Sequence, residues 1–125
     1  MLLISRQISV FVENKPSRLA TVTKALRRGG VKIRAFMIAD AGDFGIIHLL
    51  VDDTFKGKKC LEEVGFTASE TGVIEIRGAT EDSVIEEAAS ILGEAGLNIR
   101  YAYGSVSEGG SLILRTSNIK RALQI

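Results

Sequence analysis

With one cysteine, one histidine and no metal-ligand spacing, this 125-residue chain has little equipment for covalent chemistry. Cys60 stands between Lys59 and Leu61 without a recognisable base beside it. A thiol needs such a base, or a strong local field, to become a nucleophile, so Cys60 reads as a core or surface thiol. His48 lies inside an apolar run with no Ser, Cys or acidic neighbour in sequence, and reads as a structural histidine. One thiol and one imidazole also fall short of a zinc site. The residue types suited to binding are better represented. Glu13-Asn14-Lys15-Pro16-Ser17-Arg18-Leu19 brings two cations, a carboxylate, an amide and a hydroxyl into one short turn. Asp40 and Asp43 flank Ala41-Gly42, which reads first as a turn and second as a seat for an ammonium. Arg34, Arg100, Tyr101 and Tyr103 fall on strand-like segments, where packing and surface roles compete with ligand contact. Gly29-Gly30 and Gly109-Gly110 lack the spacing of a phosphate-binding loop.

The elements that carry these residues repeat. Leu26, Gly30, Ile33 and Arg34 recur as Leu92, Gly96, Ile99 and Arg100, always 66 residues later. Ile8 and Val10 fall on Ile74 and Ile76 at the same offset. In the first copy Ile8, Val10 and Val12 alternate over Gln7 to Val12, which predicts a strand. A helix follows, with Pro16 in its first turn and Leu19, Val22 and Leu26 as its apolar stripe. Gly29-Gly30 stops it. Strands follow over 31–37 and 44–51, then a helix over 54–64 closed by Gly65 and a strand over 66–71. Phe11, Phe36, Ile38, Ile46 and Leu50 are expected on the face opposite Val10, Met37 and Leu49. The second copy has a strand over 72–77 and a helix over 81–95 capped by Thr80. Strands over 97–106 and 111–116 follow, with a turn at Glu108-Gly109-Gly110 between them, and a short helix lies within 118–123. The fold class is therefore α+β: two tandem ferredoxin-like βαββαβ units, 1–71 and 72–125. The second lacks its last strand, leaving an edge open or filled by a neighbour.

The turn Asn14-Lys15-Pro16-Ser17-Arg18-Leu19 resembles the Asn-x-Pro-Gly-x-Leu turn of ACT domains. The helix ends Gly29-Gly30-Val31-Lys32-Ile33 and Ala95-Gly96-Leu97-Asn98-Ile99 resemble that family's next landmark, so the likeness runs through the chain twice. Ser17 departs from the family glycine, and Gly78-Ala79-Thr80-Glu81 lacks both Asn and Pro. The resemblance implies a non-catalytic regulator that binds a free amino acid where ACT units meet. It implies ligand contacts from Glu13, Asn14, Lys15, Ser17, Arg18, Ile38, Ala39, Asp40 and Tyr103, with no cofactor and no metal. The partners it implies are the amino acid, a second copy in a homodimer, and a separately encoded enzyme. That last alternative is similar to the small regulatory subunits of acetolactate synthase.

Composition narrows the rest. Apolar residues at 46% allow a core and exclude a disordered chain. No apolar run is long enough to span a bilayer, so the chain is expected to be cytoplasmic and independent of membranes. Residues 1–65 carry 11 cations against 7 carboxylates, and residues 66–125 carry 5 against 8. The halves are therefore +4 and −3, and the whole is only +1. That suits mutual attraction between halves or copies better than nucleic-acid binding, which usually needs a dense basic stripe. An RNA-binding plait shares the strand order, but its basic, aromatic signature is absent.

Overall fold

The computed structural model describes residues 2–78, 82–105 and 110–122, and within them six strands and four helices. They are β1 (Leu2–Glu13), α1 (Arg18–Arg28), β2 (Ile33–Ala41), β3 (Phe44–Val51) and α2 (Thr54–Glu63). Then come β4 (Thr67–Arg77), α3 (Asp82–Glu94), β5 (Ile99–Gly104), β6 (Ser111–Thr116) and α4 (Ile119–Ala122). The expected turns at Ala79–Glu81 and Glu108–Gly109, the Thr80 cap and Leu123 lie outside the described residues. No helix among the described residues is long and apolar enough to cross a membrane.

Two compact units form. The first is Arg6–Thr71, and its strands run β2-β3-β1-β4. The second is Gly72–Ile125 with Met1–Ser5, in the order β1-β4-β6-β5. β1 and β4 are long because each gives one part to each unit. Leu2–Ser5 thus takes the place beside β4 that a fourth strand of the second unit would fill. The carboxylate of Glu75 is fully buried there, and Ser5 Oγ donates to its Oε1 at 3.0 Å.

In the first unit the alternation of β1 works as its sequence dictates. Ile8, Val10 and Val12 point to the helices and join Val22, Leu26, Ile47, Leu49 and Leu61 in one core. The basic side of α1, with Lys24, Arg27 and Arg28, stays exposed. Burying the apolar stripe while leaving the cations hydrated is the cheapest division of such a helix.

The same device ends three helices. Gly30, Gly65 and Gly96 have φ of 75°, 93° and 73°. The next residue then donates its N–H back across the last turn: Val31 to Leu26, Phe66 to Leu61 and Leu97 to Leu92, at 2.9–3.0 Å. Left-handed geometry is cheap for glycine, which is why it stands at all three ends.

Two expectations need correction. Pro16 is not in the first helical turn; α1 begins at Arg18, and Ser17 before it is left-handed. Phe36 and Ile38 do not share a face with Phe11, Ile46 and Leu50. They pair with Leu49 and Ile47, which pair in turn with Ile8 and Val10, so they lie in the helix-facing rows at the edge strand. Met37 pairs with His48 and falls on the other face. Alternation gave each strand its period, but the β2–β3 register sets the phase between strands. In the second unit α3 buries Leu92 alone among its described residues, while Ile85 and Ile91 are 44% and 41% exposed. The second core is correspondingly small: Ile74, Leu92, Leu97, Leu114 and Ala122.

Candidate ligand-binding site

The first unit opens a cleft of about 380 Å³ where the end of β1, the start of α1 and the end of β2 converge. Glu13, Asn14, Lys15, Ser17 and Arg18 line one side, and Ile38, Ala39 and Asp40 another. Eight of the nine residues expected from sequence therefore meet in one place. Tyr103 is not among the lining residues. It is buried in the second unit, its ring centroid 6.5 Å from that of Tyr101. Burial, then Tyr101 and Glu75, raises its phenol well above the ordinary range.

Asn14 builds the cleft. Its Nδ2 donates to Asp40 Oδ1 at 3.0 Å and to the Gly42 carbonyl at 2.8 Å. Both acceptors fix which end of the amide faces them. Its backbone N–H donates to the Asp43 carbonyl at 2.9 Å. One asparagine thus ties the β1–α1 turn to the β2–β3 turn. Asp40 Oδ1 also accepts from the Gly42 N–H at 3.1 Å, so Asp40 and Gly42 form the turn read from sequence.

Glu13 sorts the charges. Lys15 Nζ lies 2.9 Å from its Oε2, and Arg18 Nη2 lies 3.6 Å from its Oε1. The hydrogen bond from Lys15, with the charges of Lys15 and Arg18, holds the Glu13 carboxyl below its usual range. The pairs are exposed and contribute little to stability. Their effect is to hold two cations beside the N-terminus of α1, whose first N–H groups have no partner within the helix.

Sequence reasoning missed several lining residues: Val12, Leu19, Ala20, Gly45 and Ile47. Gly45 carried a signal. It interrupts an otherwise apolar strand, and a Cβ there would sit 3.3 Å from the Ala39 carbonyl oxygen. Glycine inside a strand often marks such close approach.

The remaining candidates fall elsewhere. His48 has a serine partner that its neighbours in sequence do not show. Ser9 is its cross-strand neighbour, and Ser9 Oγ lies 2.9 Å from His48 Nδ1, with Gln7 Nε2 at 3.2 Å. Ser9 is 39 residues away in sequence, so only the β1–β3 register brings it near. Burial lowers the His48 pKa, which favours the neutral ring. Cys60 packs over Gly29, where an added Cβ would meet its sulfur. No group of three or more His, Cys, Asp or Glu residues that could hold a metal ion occurs among the described residues.

Comparison with known proteins decides the family. A family model described as an ACT domain pair matches residues 3–125. The chain belongs to this family. Within an ACT domain pair, the cleft lies at the turn whose pattern carries a glycine where this chain has Ser17. Ser17 has φ 74° and ψ 2°, the one positive φ outside glycine among the described residues. The pattern's glycine therefore answers a left-handed backbone. A crystal structure of a protein from Bacteroides thetaiotaomicron superposes on this ACT pair with a TM-score of 0.87. It is 28% identical, with 98% of this chain and 86% of that one covered. The regulatory subunit of aspartate kinase from Thermus thermophilus, in its ligand-free form, gives a TM-score of 0.66. There the identity is 15%, with 91% of this chain and 85% of that one covered. The Thermus flavus counterpart gives 0.62 at 16% identity, with 98% and 92% covered. At such identities the kinase subunits share the fold. A search of curated proteins finds no match.

Proposed function

We propose that this ACT domain pair is a non-catalytic regulatory protein that binds a free amino acid in the cleft at the β1–α1 turn. The observation that carries the reading is the convergence of Glu13 to Arg18 with Ile38 to Asp40 on one cleft. Its chemistry suits both ends of a zwitterion. The N–H groups at the start of α1 and the Arg18 guanidinium favour a carboxylate. Asp40, which meets Asn14 and Gly42 through Oδ1 alone, offers its other oxygen to an ammonium. The aliphatic side chain of Ile38, half exposed, faces the ligand's side chain.

A ligand of eight or nine heavy atoms at about 0.6 kcal/mol each binds with about 5 kcal/mol, a Kd of roughly 0.1–1 mM. That range follows a metabolite pool, and the output passes to a separate protein. In a thermal unfolding screen of the twenty amino acids at about 10 mM, a ligand with Kd near 0.1 mM adds roughly 2.7 kcal/mol, or several degrees. The expected result is a shift with one chemical class of amino acid, abolished in Arg18→Ala and Asp40→Asn. A flat response to all twenty would sink the reading.

A further inference from the structure

We infer that the first unit holds a second small-molecule site, one that takes an aromatic carboxylate and does not depend on what the β1–α1 cleft binds. A separate cleft of about 390 Å³ opens where the end of β1, the start of β3, the start of α1 and the connection from α2 to β4 meet. Three of the chain's five phenylalanines line it: Phe11, Phe44 and Phe66. Phe11 and Phe44 are 53% and 47% exposed, with ring centroids 5.8 Å apart and planes tilted by 45°. Val64, also exposed, adds an aliphatic wall. Single apolar side chains scattered over a surface are ordinary, but here the rings gather around one cavity. Two tilted rings leave an edge and a face for a third, at the centroid separations of about 4.5–7 Å that aromatic contacts favour.

The charged groups select the other end of the ligand. Glu13 and Arg18 line this cleft as well as the first. Lys15 Nζ meets the Glu13 carboxylate at 2.9 Å, so that charge is already answered. Arg18 Nη2 lies 3.6 Å from Glu13 Oε1, too far for a hydrogen bond. Its guanidinium makes no hydrogen bond among the described residues. A planar fork of N–H donors therefore stands open to a carboxylate. An ammonium has no equal opening, because Lys15 holds the neighbouring acid. The ligand that fits is an aromatic ring bearing an acid and no amine, which sets it apart from the zwitterion of the first cleft. Size favours a small molecule over a protein segment. The volume falls within the roughly 300–1,000 Å³ of small-molecule sites, which likewise combine apolar walls with a few polar groups.

Titration of phenylacetate into the isotope-labelled full chain, followed by amide NMR shifts, tests this. Saturable shifts are expected at Phe11, Phe44, Val64 and Phe66. Phenylacetamide, which lacks the charge, and cyclohexylacetate, which lacks the aromatic ring, are each expected to bind at least about fivefold more weakly. Phe44→Leu is expected to weaken phenylacetate by about fivefold, and Arg18→Gln by at least about tenfold. Circular dichroism melts confirm that both variants are folded; should either unfold, the three compounds on the wild-type chain decide. Shifts confined to Ser17, Ile38 and Asp40 would put the acid in the first cleft and overturn the proposal. No saturable shift, or equal affinity for the three compounds, would overturn it too. So would shifts at the phenylalanines on concentrating the chain without ligand, which would mark the cleft as a protein contact.

Discussion

Ser17 is held at φ 74°, where an L-residue other than glycine pays roughly 1–2 kcal/mol. Its side chain makes no capping hydrogen bond to offset this. Ser17→Gly removes the strain but returns about 0.4–1 kcal/mol of freedom to the unfolded chain. The expected net effect is a gain of about 0.5–1 kcal/mol in urea unfolding, and a loss of stability would contradict the strain argument. His48 gives a pH prediction. Burial puts its folded pKa below the ordinary 6.5, so the unfolded chain takes up the proton first. Stability from this group is complete above pH 6.5 and falls as pH drops through the folded pKa. Glu13 acts in the same direction only below its ordinary 4.5. Urea midpoints between pH 7.5 and 5 are therefore expected to fall in the wild type and to fall less in His48→Gln. Parallel curves would rule out His48 as the source. At this scale the sequence was informative about the cleft and silent about the partners of His48. The turn Glu13 to Arg18 is contiguous, so its residues could be read together. The Ser9–His48 contact joins two strands, and no local signal announces it.

Two helix glycines give opposite predictions at the scale of an element. Gly57 in α2 is buried. A Cβ there would lie 3.0 Å from Ile8 Cδ1, 3.3 Å from Val51 Cγ2 and 3.5 Å from Leu26 Cδ2. Overpacking of that kind costs about 1–3 kcal/mol and outweighs the roughly 0.8–1 kcal/mol that alanine adds to a helix. Gly57→Ala is expected to destabilise by about 1 kcal/mol. Gly93 in α3 has open space around the same position. Gly93→Ala is expected to stabilise by up to about 1 kcal/mol. Thermal melts of the pair check both signs, and equal effects would mean that packing around α2 is looser than its distances imply. Elements were the most legible part of the fold. β3 and β6 have the bounds their apolar runs predict, and the glycine stops of α1 and α2 mark their ends. The phase of β2 was not legible, because Phe36 and Ile38 alternate equally well in either direction until β3 fixes their partners.

At the scale of the whole molecule, the division of β1 and β4 between units matters most. Removing residues 1–5 takes away the strand beside the second half of β4 and the Ser5 hydroxyl that meets buried Glu75. Hydrogen exchange is expected to quicken in β5 and β6 while β2 and β3 keep their protection. Uniform loss across both units would show instead that they unfold as one. The 66-residue repeat revealed two copies but not this exchange of strands. Met1 to Ile4 is a short apolar stretch without a period, and Ser5 finds Glu75 at a separation of 70 residues. That separation also sets an order of events during synthesis. At about 5–20 residues per second, the ribosome adds the residues between Ser5 and Glu75 in roughly 4–14 s. Throughout that interval Leu2–Ser5 waits for the strand it will lie beside while the first unit is made behind it, and a chaperone that shields nascent apolar segments has its natural substrate there.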